Sequence, residues 1–146
     1  MCPAHRGAGS IAREARQVKR RVCRTSYCAG VATWADVERV GLSLPETRLG
    51  DSHGGEPVVV VRTQQFARFR RDDDGEVLQF WVGDEDLVGA YVTSAPEVFW
   101  GATGFSRKVV MARLRVLGVP ELHEVLVESW SCRATATLRG AHPDLR

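Results

Sequence analysis

The chain has no apolar run approaching the ~18 residues that a membrane-spanning helix requires. Its basic N-terminus is not followed by a continuous apolar stretch, which argues against a secretory signal. Cysteine is scarce, at four residues, and three of them (Cys2, Cys23, Cys28) precede residue 31. A disulfide framework would place its cysteines within the fold it staples, so this distribution reads as reduced thiols in a cytoplasmic protein. There is no Gly-rich phosphate loop and no H-E-x-x-H pair, so two common carriers of catalytic chemistry are missing.

What is present is uneven. Residues 1–30 carry seven of the twenty Lys+Arg (Arg6, Arg13, Arg16, Lys19, Arg20, Arg21, Arg24) and one acid, Glu14, a balance of +6. Residues 31–146 carry thirteen basic and seventeen acidic side chains, a balance of −4. The overall +2 describes neither part. A chain of 146 residues, 44% apolar and 26% charged, has the size and composition of one soluble domain, whose core must come from the body.

Residues 1–30 read as a basic N-terminal extension that is disordered. Ile11, Ala15, Val18 and Val22 could line one side of a short amphipathic helix, but such a helix is marginal in water without packing. Three other readings are an organellar transit peptide, a zinc site on Cys2, His5, Cys23 and Cys28, and translation that begins near Val31. The first is weakened by the sparse apolar residues. The second lacks the strand–turn–helix pattern of a finger between its ligand pairs, so no metal and no cofactor is expected.

The body, 31–134, is regular. Thr33 with Asp36 forms a capping box before Val37, Val40 and Leu44, and Pro45 stops the helix. Glu46-Thr47 starts an exit loop. Val58–Val61 is an apolar run suited to a strand covered on both faces. Phe66–Arg70 follows, with Phe66, Arg68 and Arg70 on one face and Ala67, Phe69 and Arg71 on the other. The Asp72-Asp73-Asp74-Gly75 turn leads back into Val77–Val82. Asp84 caps a second helix over Leu87, Val88, Tyr91 and Val92. Val98–Trp100 is a short edge strand, and 108–116 alternates as a longer one. After Gly118 and Pro120, Leu122, Val125, Leu126 and Trp130 form the stripe of a last helix. Residues 135–146 read as a C-terminal tail. The fold class is α+β, an antiparallel sheet with helices packed against it, in the order α-β-β-β-α-β-(β)-α.

Candidate chemistry is thin. Asp51, Ser52 and His53 sit on one loop, where sequence neighbours rarely reach the geometry that activates a nucleophile. Asp84-Glu85-Asp86 reads as a capping turn favoured by the helix dipole. No catalytic residue is assigned. Trp81 and Trp130 read as core, and Trp100 as the most open aromatic. The remaining signal is basic residues on strands: Arg68, Arg70, Arg71, Arg107, Lys108, Arg113 and Arg115. Phosphate contacts need such residues on one connected surface. The plainer alternative is a solvated face balanced by Glu76 and Asp72–Asp74.

Ala32-Thr33-Trp34-x-Asp36-Val37, then Leu42-Ser43-Leu44-Pro45-Glu46-Thr47, resembles the opening of the MmcQ/YjbR family. The Phe66–Arg70 strand, the Val110–Leu114 strand and Glu121-Leu122-x-x-x-Leu126-x-x-x-Trp130 extend the resemblance over about residues 32–134. It departs at Gly104–Lys108, where relatives often read His-Tyr-x-Gly-x-Pro. The resemblance implies a small fold similar to type III secretion chaperones and non-catalytic binding of duplex DNA through two β-hairpin wings. The Arg68–Arg71 hairpin and the one around Arg107 and Lys108 would be those wings. The alternative is a protein-interaction or chaperone-like module, acting as a homodimer or on a protein partner, with no nucleic-acid or membrane binding.

Overall fold

The computed structural model describes residues 31–102 and 108–145. The N-terminal extension, with its zinc-ligand candidates, and Arg107 lie outside them. The described residues form an α+β domain around one six-stranded antiparallel sheet, ordered β1-β2-β3-β4-β6-β5. Among them, no helix is long and apolar enough to cross a membrane.

Helix α1 (Trp34–Leu42) starts at the predicted capping box. Thr33 N donates to Asp36 Oδ2 at 2.9 Å, and Asp36 N donates back to Thr33 Oγ1 at 3.4 Å. Burial pushes the Asp36 carboxyl up, but its hydrogen bonds to Thr33 and Arg39 outweigh this and hold it below the ordinary value. A second clamp joins the helix to the sheet, because Trp34 N donates to Glu76 Oε1 at 3.0 Å. Glu76 therefore turns toward α1 rather than balancing the strand arginines.

The chain then does what the sequence did not suggest. Thr47–Asp51, expected as a loop, is strand β1, paired through five residues with β2 (Pro57–Val61). Glu46 and Arg62 flank this pair in left-handed backbone, at φ of 56° and 55°. Arg62 N donates to the Glu46 carbonyl at 3.0 Å, and the two side chains pair at 2.9 and 3.0 Å.

Strands β3 (Gln64–Asp72) and β4 (Gly75–Trp81) form the expected hairpin, with Gly75 at φ 118°. A register shift between Val59 and Val60 inserts an extra residue into β3. The bulge corrects the predicted face of Phe66, which enters the core, whereas Arg68 and Arg70 lie on the opposite side of the sheet.

Helix α2 (Glu85–Ser94) is capped by Asp84, whose Oδ1 accepts from Asp86 N and Leu87 N. Strand β5 (Phe99–Gly101) pairs with β6 (Val109–Arg113), which gives way at Leu114 to a 3-10 turn instead of running to Val116. Helix α3 (Val119–Arg133) follows, and then a short helix α4 (Ala136–Ala141) where a pattern-free tail was expected. Leu138 anchors α4 in the core, at 3% exposure.

The helices share one face of the sheet. Val37, Leu87, Leu122, Leu126 and Trp130 join Val59, Phe66, Phe80, Val110 and Ala112 in a single cluster. Helix α3 also seals the bulge. Ser129 Oγ donates to the Phe66 carbonyl at 2.5 Å and accepts from Trp81 N at 2.9 Å. Both backbone groups would otherwise lie unpaired at the end of the β3–β4 ladder. Ser129→Ala is expected to cost about 2 kcal/mol, since each orphaned buried group costs on the order of 1–3 kcal/mol. A urea titration reads this as a lower midpoint with an unchanged slope.

Candidate nucleic-acid interface

The second face of the sheet is built by cross-strand register. Val58, Arg68, Gln79, Met111 and Trp100 stand opposite one another across β2, β3, β4, β6 and β5. One step toward the hairpin turn, Arg70, Val77 and Arg113 form a second row. Arg70 and Arg113 are two strands apart, roughly 10 Å between backbones. Val77, Val109 and Met111 form a small apolar cluster, with Trp81, Trp100 and Ala102 packed against it and no helix residue in it.

The structure thus brings Arg68, Arg70 and Arg113 onto one face, and Arg115 joins them from the 3-10 turn. Arg71 points to the other side, its guanidinium 5.5 Å from the Phe69 ring. Lys108 precedes β6 at the far end, where its carbonyl accepts from Val82 N at 2.9 Å.

Carboxylates already engage these guanidinia. Glu56 Oε1 lies 3.1 Å from Arg68 Nη2 and 3.7 Å from Arg70 Nη1. Asp74, at the hairpin tip, lies 3.3 Å from Arg113 Nε and 3.8 Å from Arg115 Nη2. Arg113 also stacks 4.4 Å from the centroid of Trp100. Arg68 Nε and Gln79 Oε1 are buried without a hydrogen-bond partner. They are a donor and an acceptor on directly opposite residues, chemically complementary to each other.

Arg133 is a residue of this region that sequence patterning missed. It reaches from the end of α3 to the Gln65 carbonyl at 2.8 Å and Gln64 Oε1 at 2.7 Å. Its guanidinium lies 4.9 Å from the Trp81 ring, and burial holds its pKa below the ordinary value. Only the aromatic–cation arrangement marks it, and that pairing is long-range.

The loop chemistry resolves into structure. Gly50-Asp51-Ser52-His53-Gly54 spells G-x-S-x-G. A nucleophile elbow needs a strand followed by a helix. Here the segment closes the β1–β2 hairpin: Ser52 Oγ accepts from Glu56 N at 3.2 Å, and Ser52 N donates to the Glu56 carbonyl at 2.8 Å. Ser52 is buried and His53 is exposed.

Among the described residues, no group of three or more His, Cys, Asp or Glu side chains is placed to hold a metal ion. Cys132 is half-buried on α3. One turn earlier, burial and the nearby Asp84 charge push the Glu128 carboxyl up.

No family model, no curated protein and no solved structure matches the chain.

Proposed function

We propose that the chain is a non-catalytic DNA-binding module of the MmcQ/YjbR type, which meets the duplex backbone with the helix-free face of its sheet. The observation that carries this reading is the register that sets Arg68, Arg70 and Arg113 on one face, with Arg115 beside them. Guanidinia on one rigid surface suit phosphate oxygens, and the main contribution to such binding is electrostatic. Trp100 offers an aromatic surface at the end of the same row.

A second reading is favoured by a specific observation. Residues 31–146 carry thirteen basic and seventeen acidic side chains, −4, and between the arginine pairs lie Val77, Met111 and Trp100. An apolar centre with an arginine rim is the composition of a protein interface. On this reading the module takes a protein partner and no nucleic acid.

The carboxylates separate the two. Phosphate must compete with Glu56 and Asp74 for the same guanidinia, and exposed pairs of this kind contribute about 0.2–1 kcal/mol each. Glu56→Gln with Asp74→Asn is therefore expected to raise duplex affinity roughly two- to five-fold per carboxylate at low salt. Fluorescence anisotropy with a labelled duplex measures it. Affinity that stays flat or falls in a folded variant argues for the protein interface.

A further inference from the structure

We infer that the outer edge of β1 is a self-pairing surface, through which a second copy of this chain extends the sheet. Strand β1 ends the sheet order, and among the described residues nothing pairs with its outer side. Natural edges are blunted by proline, bulges, charged side chains or extreme shortness. Thr47–Asp51 has no proline and no bulge, its five residues pairing with β2 without a break, and its two charges, Arg48 and Asp51, are of opposite sign. The other edge, β5, is three residues long and packs beside α2.

The side chains favour a copy of the same strand. Leu49, the centre of β1, is 45% exposed, one of three large apolar residues left that open among the described residues. An antiparallel β1–β1 pair centred on Leu49 is isologous and keeps all five residues in register. In it Leu49 meets the partner's Leu49, Thr47 meets the partner's Asp51, and Arg48 meets the partner's Gly50. No charge stands directly opposite a like charge, an arrangement that would destabilise the pair. Gly50 matters for space as well. Within one chain a Cβ there would approach the Arg48 guanidinium to 3.7 Å, so the glycines of both copies leave room for the arginine side chains. The result is a continuous twelve-stranded sheet, counting six from each copy.

The test is the mass of the full chain by sedimentation equilibrium across a concentration series. A monomer–dimer equilibrium is expected, and Leu49→Lys raises its dissociation constant at least tenfold, with the circular dichroism and melting of the parent. Benzoylphenylalanine at position 49 is expected to cross-link to residues 47–51 of the second copy, mapped by mass spectrometry. A chain that stays monomeric up to the solubility limit overturns the inference. So does a dimer indifferent to Leu49→Lys, or cross-links that map to another element.

Discussion

Trp130→Ala is expected to remove about 3–5 kcal/mol of unfolding free energy, the range for deleting a buried aromatic. Against a typical total of roughly 5–15 kcal/mol, that leaves a domain close to unfolding at physiological temperature. Trp130 is at 0% exposure, the largest fully buried side chain among the described residues. Its loss empties the place where α3 meets the loop after α1. Its indole Nε1–H also donates to the Pro45 carbonyl at 3.0 Å. The alanine variant therefore leaves a cavity and an unpaired carbonyl together. Trp130→Phe separates the two, since it keeps most of the volume and loses only the hydrogen bond, at about 1–2 kcal/mol. Urea denaturation followed by circular dichroism gives both values. Equal losses for Ala and Phe would mean that packing at this site matters little.

Replacing Arg70, Arg113 and Arg115 together by Gln is expected to weaken duplex binding by on the order of 100-fold or more at low salt. Charge-assisted hydrogen bonds contribute about 1.5–3 kcal/mol each, and their sum is discounted here for non-additivity. The sharper sign is the salt dependence. Each lost phosphate contact lowers the slope of log affinity against log salt by about one, so the triple variant should fall by about three. Gln keeps the polar stem and adds no carboxylate, so Asp74 at the tip loses partners without meeting a like charge. An unchanged slope in a folded variant would place the phosphate contacts elsewhere.

Much of this architecture was legible where one residue decides a local geometry. Thr33 with Asp36, Pro45, Gly75 and Asp84 each fix a start or stop through their own backbone chemistry, and the chain obeys them. Apolar spacing identified the stripe from Leu122 to Trp130 for the same local reason. What failed to show depends on partners distant in sequence. Thr47-Arg48-Leu49-Gly50-Asp51 has one apolar residue and no alternation, and it becomes a strand because β2 offers it a ladder. Phe66 changed face because a bulge opposite Val59 and Val60 shifts the parity of β3, and parity is the only thing that alternation reads. Helix α4 holds a single buried apolar residue, Leu138, too little to form a stripe.

The candidate interface divides along the same line. That Arg68 and Arg70 share a face follows from period two, whereas Arg113 joins them only through the pairing of β3, β4 and β6. That Glu56 holds two of these side chains and Asp74 two others depends on the pairing of β2 with β3 and of β4 with β6. Those carboxylates are the main reason that basic residues on strands do not by themselves make a phosphate surface.

The central claim is that the folded body, not the basic extension before it, carries the binding. Among the described residues its core draws on Ala32 to Leu138, so a chain beginning at Val31 retains every element of that core. The most direct measurement is a titration of that shortened chain and of the full chain with duplex DNA across a salt series. The account predicts that the shortened chain binds at low salt and releases steeply as salt rises, with a slope that the Arg70, Arg113 and Arg115 substitutions reduce. Binding by the full chain alone would contradict it, and would assign the contact to the seven basic residues of 1–30.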